Sequence, residues 1–309
     1  MTAVAARAPA KVNVHLAVGP VRPDGFHELR TVYLAVSLFD TVTAGPGDGG
    51  LALTVTGEGA GAVRGADLVP TDRRNLVWRA AELLADSAGV TADATIEVAK
   101  SIPAAAGLAG GSADAAAALV ALDALWGTRA SRDDLVSLAA QLGSDVPFSL
   151  TGGVALGAGR GEQLTPVLAR TRWHWVLGIA GEGLSTPAVY RELDRLRSAG
   201  RVPGGEELPA AEPVIAALRS GPTAVLAASL ANDLQAAALA LRPGLARALR
   251  AATEAGAAAA LVSGSGPTVA ALAEDERDAV RLAAELAGAG VFRTVRTVHG
   301  PVPGARLVG

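Results

Sequence analysis

The segment Pro103-Ala104-Ala105-Ala106-Gly107-Leu108-Ala109-Gly110-Gly111-Ser112-Ala113-Asp114 has the composition of an anion site. It follows a run with strand character at residues 95–100 and opens an Ala-rich helical run that reaches Trp126. Glycine admits positive φ and close backbone approach, and the free N–H groups and dipole at a helix start attract anions, so the segment reads as a phosphate cradle. It is not a Walker loop, because no Gly-Lys-Ser/Thr follows. It also fails the G-x-G-x-x-G dinucleotide spacing, because Leu108-Ala109 separates Gly107 from the next glycine. A Gly-rich turn with no ligand is the plain alternative. Ser112, near the helix start, either caps the helix or reaches a magnesium ion held by the phosphates.

Two further residues could act on a hydroxyl. Lys11 and Lys100 are the only lysines among 27 Lys and Arg residues. A compact ammonium and a planar guanidinium differ at a phosphate or an alkoxide, although two lysines can also survive by chance. Lys11 lies in Ala10-Lys11-Val12-Asn13-Val14, a strand pattern otherwise apolar on alternate positions, where a buried charge is costly without a counter-charge. Asp145, in Gly143-Ser144-Asp145-Val146-Pro147-Phe148, is by itself most simply the start of a turn. An Asp and a Lys from distant segments can together position and polarise a hydroxyl, and the two are expected to converge beside the Gly107 turn.

Other segments are less specific. Ser263-Gly264-Ser265-Gly266-Pro267-Thr268 reads as a hairpin turn, and Asn232-Asp233-Leu234 as a helix cap. Aromatic residues make up 3% of the chain. Phe26 and His27 follow the turn-forming Arg22-Pro23-Asp24-Gly25 and so fall on an accessible loop where a ring could stack on a base. Tyr190 shares a helix face with Leu193, which suggests ordinary packing. The four histidines show no metal-ligand spacing, so no zinc site is expected.

The elements that must position these residues can be read from periodicity. Strands are expected over residues 11–18, 31–43, 51–56 and 95–100, and a helix over 72–88, where Leu76, Ala80, Leu83 and Leu84 recur at helical spacing and Gly89 stops the run. Residues 131–142 carry a capping pattern, Ser131 with Asp134, ending at Gly143. The pattern breaks between Arg160 and Arg172, where the boundary between residues 1–168 and 169–309 is set. Beyond it come a strand at 173–180, an exposed connection at 200–213, a helix to Ala255, strands at 259–262 and 268–272, a helix at 275–287 and a strand at 291–298. That order suggests an α+β sandwich of the split βαβ, ferredoxin-like type.

Composition narrows the function classes. The 309 residues are half hydrophobic, enough for two packed cores. With 30 acidic and 27 basic residues, a net charge of -3 and no block of like charge, nucleic acid is not an expected partner. The absence of cysteine excludes disulfides, thiolate zinc sites and thiol catalysis, and fits a reducing cytosol. Arg7, Lys11 and Asn13 interrupt what would have to be a signal peptide's apolar core. No apolar run approaches the ~18 residues of a membrane span. A soluble, cytoplasmic protein with no membrane partner is expected, with monomer and homodimer both open.

Taken together, these segments resemble the GHMP kinase superfamily, whose N-terminal Lys strand, P-x-x-x-G-L-x-G/S-S phosphate loop and C-terminal Gly-rich turn all occur here in that order. The resemblance also runs through Arg22-Pro23-Asp24-Gly25-Phe26-His27, the Asp145-Val146-Pro147-Phe148 segment and Asn232-Asp233-Leu234, and spans residues 10–268. It implies a two-domain α+β fold, with an N-terminal domain of the ribosomal-protein-S5-domain-2-like type and a C-terminal ferredoxin-like sandwich. It implies ATP and Mg2+, and as substrate a cytidine diphosphate derivative of methylerythritol, phosphorylated on its tertiary 2-hydroxyl in the non-mevalonate route to isoprenoid precursors. Carried over, Asp145 would be the general base and Lys11 the cation that lowers the hydroxyl's pKa, with Asn13 beside it. Phe26, His27, Thr186 and Tyr190 would hold the cytosine. Pro103, Gly107, Leu108, Ala109, Gly110, Gly111 and Ser112 would wrap the ATP phosphates, with Asn75 and Lys100 near the nucleotide and Ser112 at the magnesium. Two positions depart from the pattern: Phe26 stands where Tyr is common, and Ala104–Ala106 and Ala109 replace glycines, which would stiffen the loop. A superfamily kinase for homoserine or a mevalonate derivative, or a non-catalytic ligand sensor of the same fold, are the alternatives. A nicotinamide oxidoreductase fails on the loop spacing.

Overall fold

The computed structural model describes residues 2–60, 69–181 and 183–309. β1 (Val4–Val21) and β2 (His27–Pro46) form a long antiparallel pair, and register shifts at Pro9/Ala10, Asn13/His15 and Val18/Val21 bend it. Residues 8–19 are buried without alternation. The reason is that β1 is covered on both faces: Ala10, Val12 and Val14 join one core, while Leu16 and Val18 join a second. A lysine in such a strand keeps little contact with solvent, its side chain being 8% exposed, so its charge must be answered inside the protein.

β3 (Leu51–Thr56), α1 (Leu76–Ala88) and β4 (Ala94–Ala99) form a crossover unit with β3 and β4 parallel. The helix starts at Leu76 rather than at residue 72. Asn75 caps it by accepting from the Val77 N–H, while Asp72 spends its carboxylate on the Arg74 N–H one turn earlier. Gly89 ends it at φ 65°. α2 (Gly110–Trp126) is buried nearly all round, and its alanines let it lie close against β1 and β2. α3 (Arg132–Leu142) carries the expected capping box of Ser131 and Asp134, and α4 (Val146–Thr151) follows after Gly143.

β5 (Val154–Ala158) pairs with β2, and β6 (Gln163–Val167) pairs with β5 alone. Residues 160–172 read as a break in the sequence, yet they contain this strand. β6 lies at the end of its ladder and is mostly exposed, which is where Pro166 is tolerated and where no hydrophobic alternation is needed.

The second half contains β7 (Trp173–Ile179), α5 (Thr186–Ser198), α6 (Glu212–Ser220), α7 (Thr223–Ser229), β8 (Ala231–Asn232), α8 (Leu234–Leu241), α9 (Gly244–Glu254), β9 (Ala259–Val262), β10 (Val269–Ala273), α10 (Glu276–Gly288), β11 (Thr294–Gly300) and β12 (Arg306–Leu307). Four of these strands make an antiparallel sheet in the order β11-β7-β10-β9. In chain order that is 4-1-3-2, the split βαβ arrangement expected from the sequence. The connection at 200–213 is partly docked, because Arg30 donates to the Leu208 and Pro209 carbonyls at 3.0 and 3.4 Å.

Two short strands cross the division at 168/169. β8 pairs with β1 in parallel and β12 pairs with it in antiparallel, so segments from the second half bind β1 at two places along the edge that β2 leaves open. Trp173, Trp175 and Leu177 likewise pack in the same core as α2. The halves therefore meet along β1, the strand that carries Lys11.

Candidate active site

Lys11 and Asp145, 134 residues apart in sequence, are brought together by these two routes. The Lys11 N–H donates to the Leu108 carbonyl at 3.2 Å, which stitches β1 to the Gly-rich loop. Its ammonium donates to Asn13 Oδ1 at 2.5 Å and lies 3.7 Å from Asp145 Oδ2. Asn13 is held in turn, donating from Nδ2 to Thr31 Oγ1 at 2.8 Å, and Thr31 donates to the His15 carbonyl at 2.8 Å. Asp145 stands at the N-cap position of α4 but caps nothing. Its other oxygen, Oδ1, accepts from the Tyr33 hydroxyl at 3.1 Å. Both carboxylate oxygens are thus committed to the site rather than to the turn.

The Gly-rich loop closes against the β9–β10 hairpin. A side chain on Gly107, which has φ 76°, would lie 2.4 Å from the Ser263 carbonyl oxygen, so only glycine fits both the backbone and the space. The Thr268 N–H donates to Ala106 O at 3.3 Å, and Gly264 comes so near Lys11 that a Cβ there would be 3.2 Å from Nζ. The third glycine cluster is therefore a hairpin turn, as read, and also a wall of the Lys11 site. Ala105 and Ala109 adopt φ 54° and 59°, keeping the left-handed path that glycine would follow without strain. α2 begins at Ala109 with no side-chain cap, which leaves the N–H groups of Gly110, Gly111 and Ser112 without intrahelical partners. Ser112 is not the cap; it lies inside the first turn and lines the cavity. A bare N-terminus on a 17-residue helix, opening into a cavity beside a lysine, suits a polyphosphate.

That cavity is about 700 Å³. It is lined by Lys11, Asn13 and Asp145, by Gly107, Ala109, Gly110, Gly111 and Ser112, and by Phe26, His27, Thr186 and Tyr190. His27 and Tyr190 rings lie 5.0 Å apart, and His27 Nε2 is 2.9 Å from Asp194 Oδ1. Tyr190 is thus part of the cavity wall rather than only a packing residue. Phe26 is exposed on its loop with the Arg160 guanidinium 5.0 Å over its ring. Thr186 Oγ1 and Ser265 Oγ are 2.9 Å apart across the cavity floor.

Four expected ligand residues do not line it. Lys100 is buried between Asp40 and Asp114, at 2.5 and 2.6 Å, where a phosphate has no access. Burial works against its charge, but the Asp114 and Asp40 carboxylates outweigh that and raise Lys100 above the usual lysine range. Asn75 is occupied as the α1 cap and as a donor to the Pro70 carbonyl at 2.7 Å. Leu108 is fully buried and contributes its carbonyl alone, while Pro103 lines a separate smaller cleft with Ser101, Arg293 and Arg296. Among the described residues there is no group of three or more His, Asp or Glu suited to a metal, and no helix long and apolar enough to cross a membrane.

Residues 75–153 match the GHMP kinases N terminal domain and residues 214–291 the GHMP kinases C terminal domain. A protein of Rhodococcus jostii (strain RHA1), 4-diphosphocytidyl-2-C-methyl-D-erythritol kinase, is 57% identical over 99% of this chain and 95% of its own. The chain belongs to the GHMP kinases, in the 4-diphosphocytidyl-2-C-methyl-D-erythritol kinase family. The kinase of that name from Salinispora tropica is 58% identical over 98% of this chain and 94% of its own. A crystal structure of 4-(cytidine 5'-diphospho)-2C-methyl-D-erythritol kinase covers 99% of both chains with TM-score 0.74 at 33% identity. Homoserine kinase from Cytophaga hutchinsonii covers 100% of this chain and 98% of its own with TM-score 0.75 at 20% identity, a likeness of fold.

Within this GHMP kinase, three cavity residues escaped sequence reading. Tyr33 sits between Val32 and Leu34 in an apolar run, and nothing local distinguishes its hydroxyl. Arg160 falls at the start of the polar break at 160–172, and Asp194 belongs to no motif. The one available signal was helical spacing: Asp194 follows Tyr190 by four residues and so shares its face.

Proposed function

We propose that the protein transfers the γ-phosphoryl group of ATP to the 2-hydroxyl of 4-diphosphocytidyl-2-C-methyl-D-erythritol, in the non-mevalonate route to isoprenoid precursors. The observation that carries this reading is that one cavity is lined by an uncapped helix N-terminus, the Lys11–Asp145 pair and an aromatic cluster. The N–H groups of Gly110, Gly111 and Ser112 bind the β- and γ-phosphates. Ser112 is the side chain at that end available to a magnesium ion, which supplies charge neutralisation on the phosphate oxygens. Asp145 Oδ2 accepts the hydroxyl proton as the oxygen–phosphorus bond forms, and the bond from γ-phosphorus to the bridging oxygen breaks to release ADP. Lys11 stabilises the developing alkoxide, and Asn13 keeps its ammonium in place.

Phosphoryl transfer asks mainly for alignment and charge stabilisation, and a hindered tertiary alcohol makes alignment the harder part. A cytidine diphosphate handle, held by Phe26, His27, Thr186 and Tyr190 away from the reacting carbon, supplies binding energy for that alignment. Residues 1–168 act as the nucleotide-binding domain and 169–309 as the domain that brings Thr186, Tyr190 and the hairpin to it. Cysteine-free composition supports a cytoplasmic location.

ADP release measured with ATP and each acceptor tests the reading. The cytidylyl substrate is turned over, whereas homoserine and mevalonate give only the ATP blank. Turnover of either small acceptor at the cytidylyl rate would overturn it. Tyr190→Ala raises the KM for the cytidylyl substrate about tenfold or more through lost stacking, with the KM for ATP unchanged. Equal changes in both constants would remove Tyr190 from the base site.

A further inference from the structure

We propose that Tyr33 is a positioning residue for phosphoryl transfer: its hydroxyl holds Asp145 Oδ1, so that Oδ2 is the oxygen turned to Lys11 and to the acceptor hydroxyl. The inference rests on the reading of Asp145 as proton acceptor. Asp145 begins a short helix without capping it, and its side chain is 30% exposed, so nothing in its own turn restrains the carboxylate. The restraint comes from β2. The Tyr33 hydroxyl donates to Oδ1 at 3.1 Å while Lys11 Nζ lies 3.7 Å from Oδ2, which divides the two oxygens between two partners.

The phenol is itself held in a slot built by other elements. Its ring stacks on Phe148 of α4 at 4.9 Å and 28°, and both residues are buried. On the other side, β5 and the turn after it carry glycines where side chains would intrude. A Cβ at Gly157 would be 2.8 Å from Tyr33 Cε2, and one at Gly161 would be 2.2 Å from the hydroxyl. Gly161, whose φ of 98° already calls for glycine, thereby leaves room for the hydroxyl. Burial first, and then the Asp145 charge, push the Tyr33 phenol well above its usual range, so the hydroxyl keeps its proton and serves Asp145 as a donor only. The other ionisable groups around the pair are Lys11 from β1, Tyr190 from α5, and Glu162 beside Arg160 in the β5–β6 turn.

Tyr33→Phe keeps the ring and removes the donor. With ATP and the cytidylyl substrate its kcat falls about tenfold, as expected for a lost hydrogen bond to a charged group, while both KM values stay within about twofold. Gly157→Ala provides a second measure, because its Cβ would lie 2.8 Å from Tyr33 Cε2 and displace the ring; the same Cβ would lie 3.0 Å from Thr31, so both KM values are measured alongside kcat. It lowers kcat several-fold in the wild type and has no further effect on kcat in the Tyr33→Phe background. Wild-type kcat in Tyr33→Phe, a change confined to KM, or an equal loss from Gly157→Ala on both backgrounds would each overturn the assignment. The Asp145→Asn variant separates this failure from that of the underlying reading. If Asp145→Asn is inactive and Tyr33→Phe is unchanged, only the role of Tyr33 is lost; if Asp145→Asn turns over normally, the proton acceptor itself is misassigned.

Discussion

Asp145→Asn lowers kcat by about a thousandfold, within the range that a positioned general base contributes, and leaves the dissociation constant for ATP within about twofold. The substitution is isosteric, so the Tyr33 hydroxyl still finds an oxygen at the Oδ1 position and Lys11 keeps its bond to Asn13. What is lost is the carboxylate proposed to take the acceptor's proton. In the proposed reading ATP is held elsewhere, by the uncapped start of α2, which the substitution does not touch. Single-turnover kinetics together with equilibrium nucleotide binding make the measurement. A kcat within tenfold of wild type would exclude Asp145 as the proton acceptor, and a parallel collapse of ATP binding would show damage to the phosphate loop instead.

The second large effect is on stability. Lys100→Met costs about 3–5 kcal/mol, the usual consequence of removing one partner from a buried ionic cluster. Asp40 and Asp114 have essentially no exposure, and Lys100 is their shared partner at 2.5 and 2.6 Å. Asp40 also accepts from the N–H groups of Ser101 and Ile102 at 2.6 and 2.7 Å, so the cluster anchors the entry to the Gly-rich loop. Burial raises the Asp114 carboxyl well above the carboxylate range; Lys100 pulls it down, and the Asp40 charge pushes it up again. A carboxyl raised in the folded state binds its proton more tightly there than in the unfolded chain. Its contribution is complete below the unfolded value and is lost as pH rises through the folded one. The deficit of Lys100→Met therefore grows between acidic and mildly alkaline pH. Asp114→Asn removes one of the two carboxylates but leaves Lys100 paired with Asp40, and is milder. Denaturant unfolding of both variants at two pH values checks this, and equal losses in the two would contradict the account.

The fold was legible wherever local rules govern it. The capping box at Ser131, the stop at Gly89, the strand at Leu51–Thr56 and the β9–β10 hairpin all lie where spacing and turn residues put them. The elements misread were those whose burial comes from distant partners. β6 needs only an edge to pair with, β12 and β8 exist because β1 offers free edges, and α1 begins where Asn75 rather than Asp72 takes the cap. In the same way, Phe26-His27 could be assigned to an accessible loop, but that His27 meets Tyr190 and Asp194 depends on how α5 docks.

From the chain of residues alone came the phosphate loop, the need for a counter-charge near Lys11, and the family, because each is written in neighbouring residues and backbone preferences. Tertiary structure decided which lysine faces the cavity, since Lys11 and Lys100 are equivalent as charges. They differ in what long-range packing sets against them: Asn13 and an open carboxylate for one, two buried carboxylates for the other. It also decided that Tyr33 belongs to the site, because a hydroxyl acquires a role only when a partner from another segment is packed within hydrogen-bond reach.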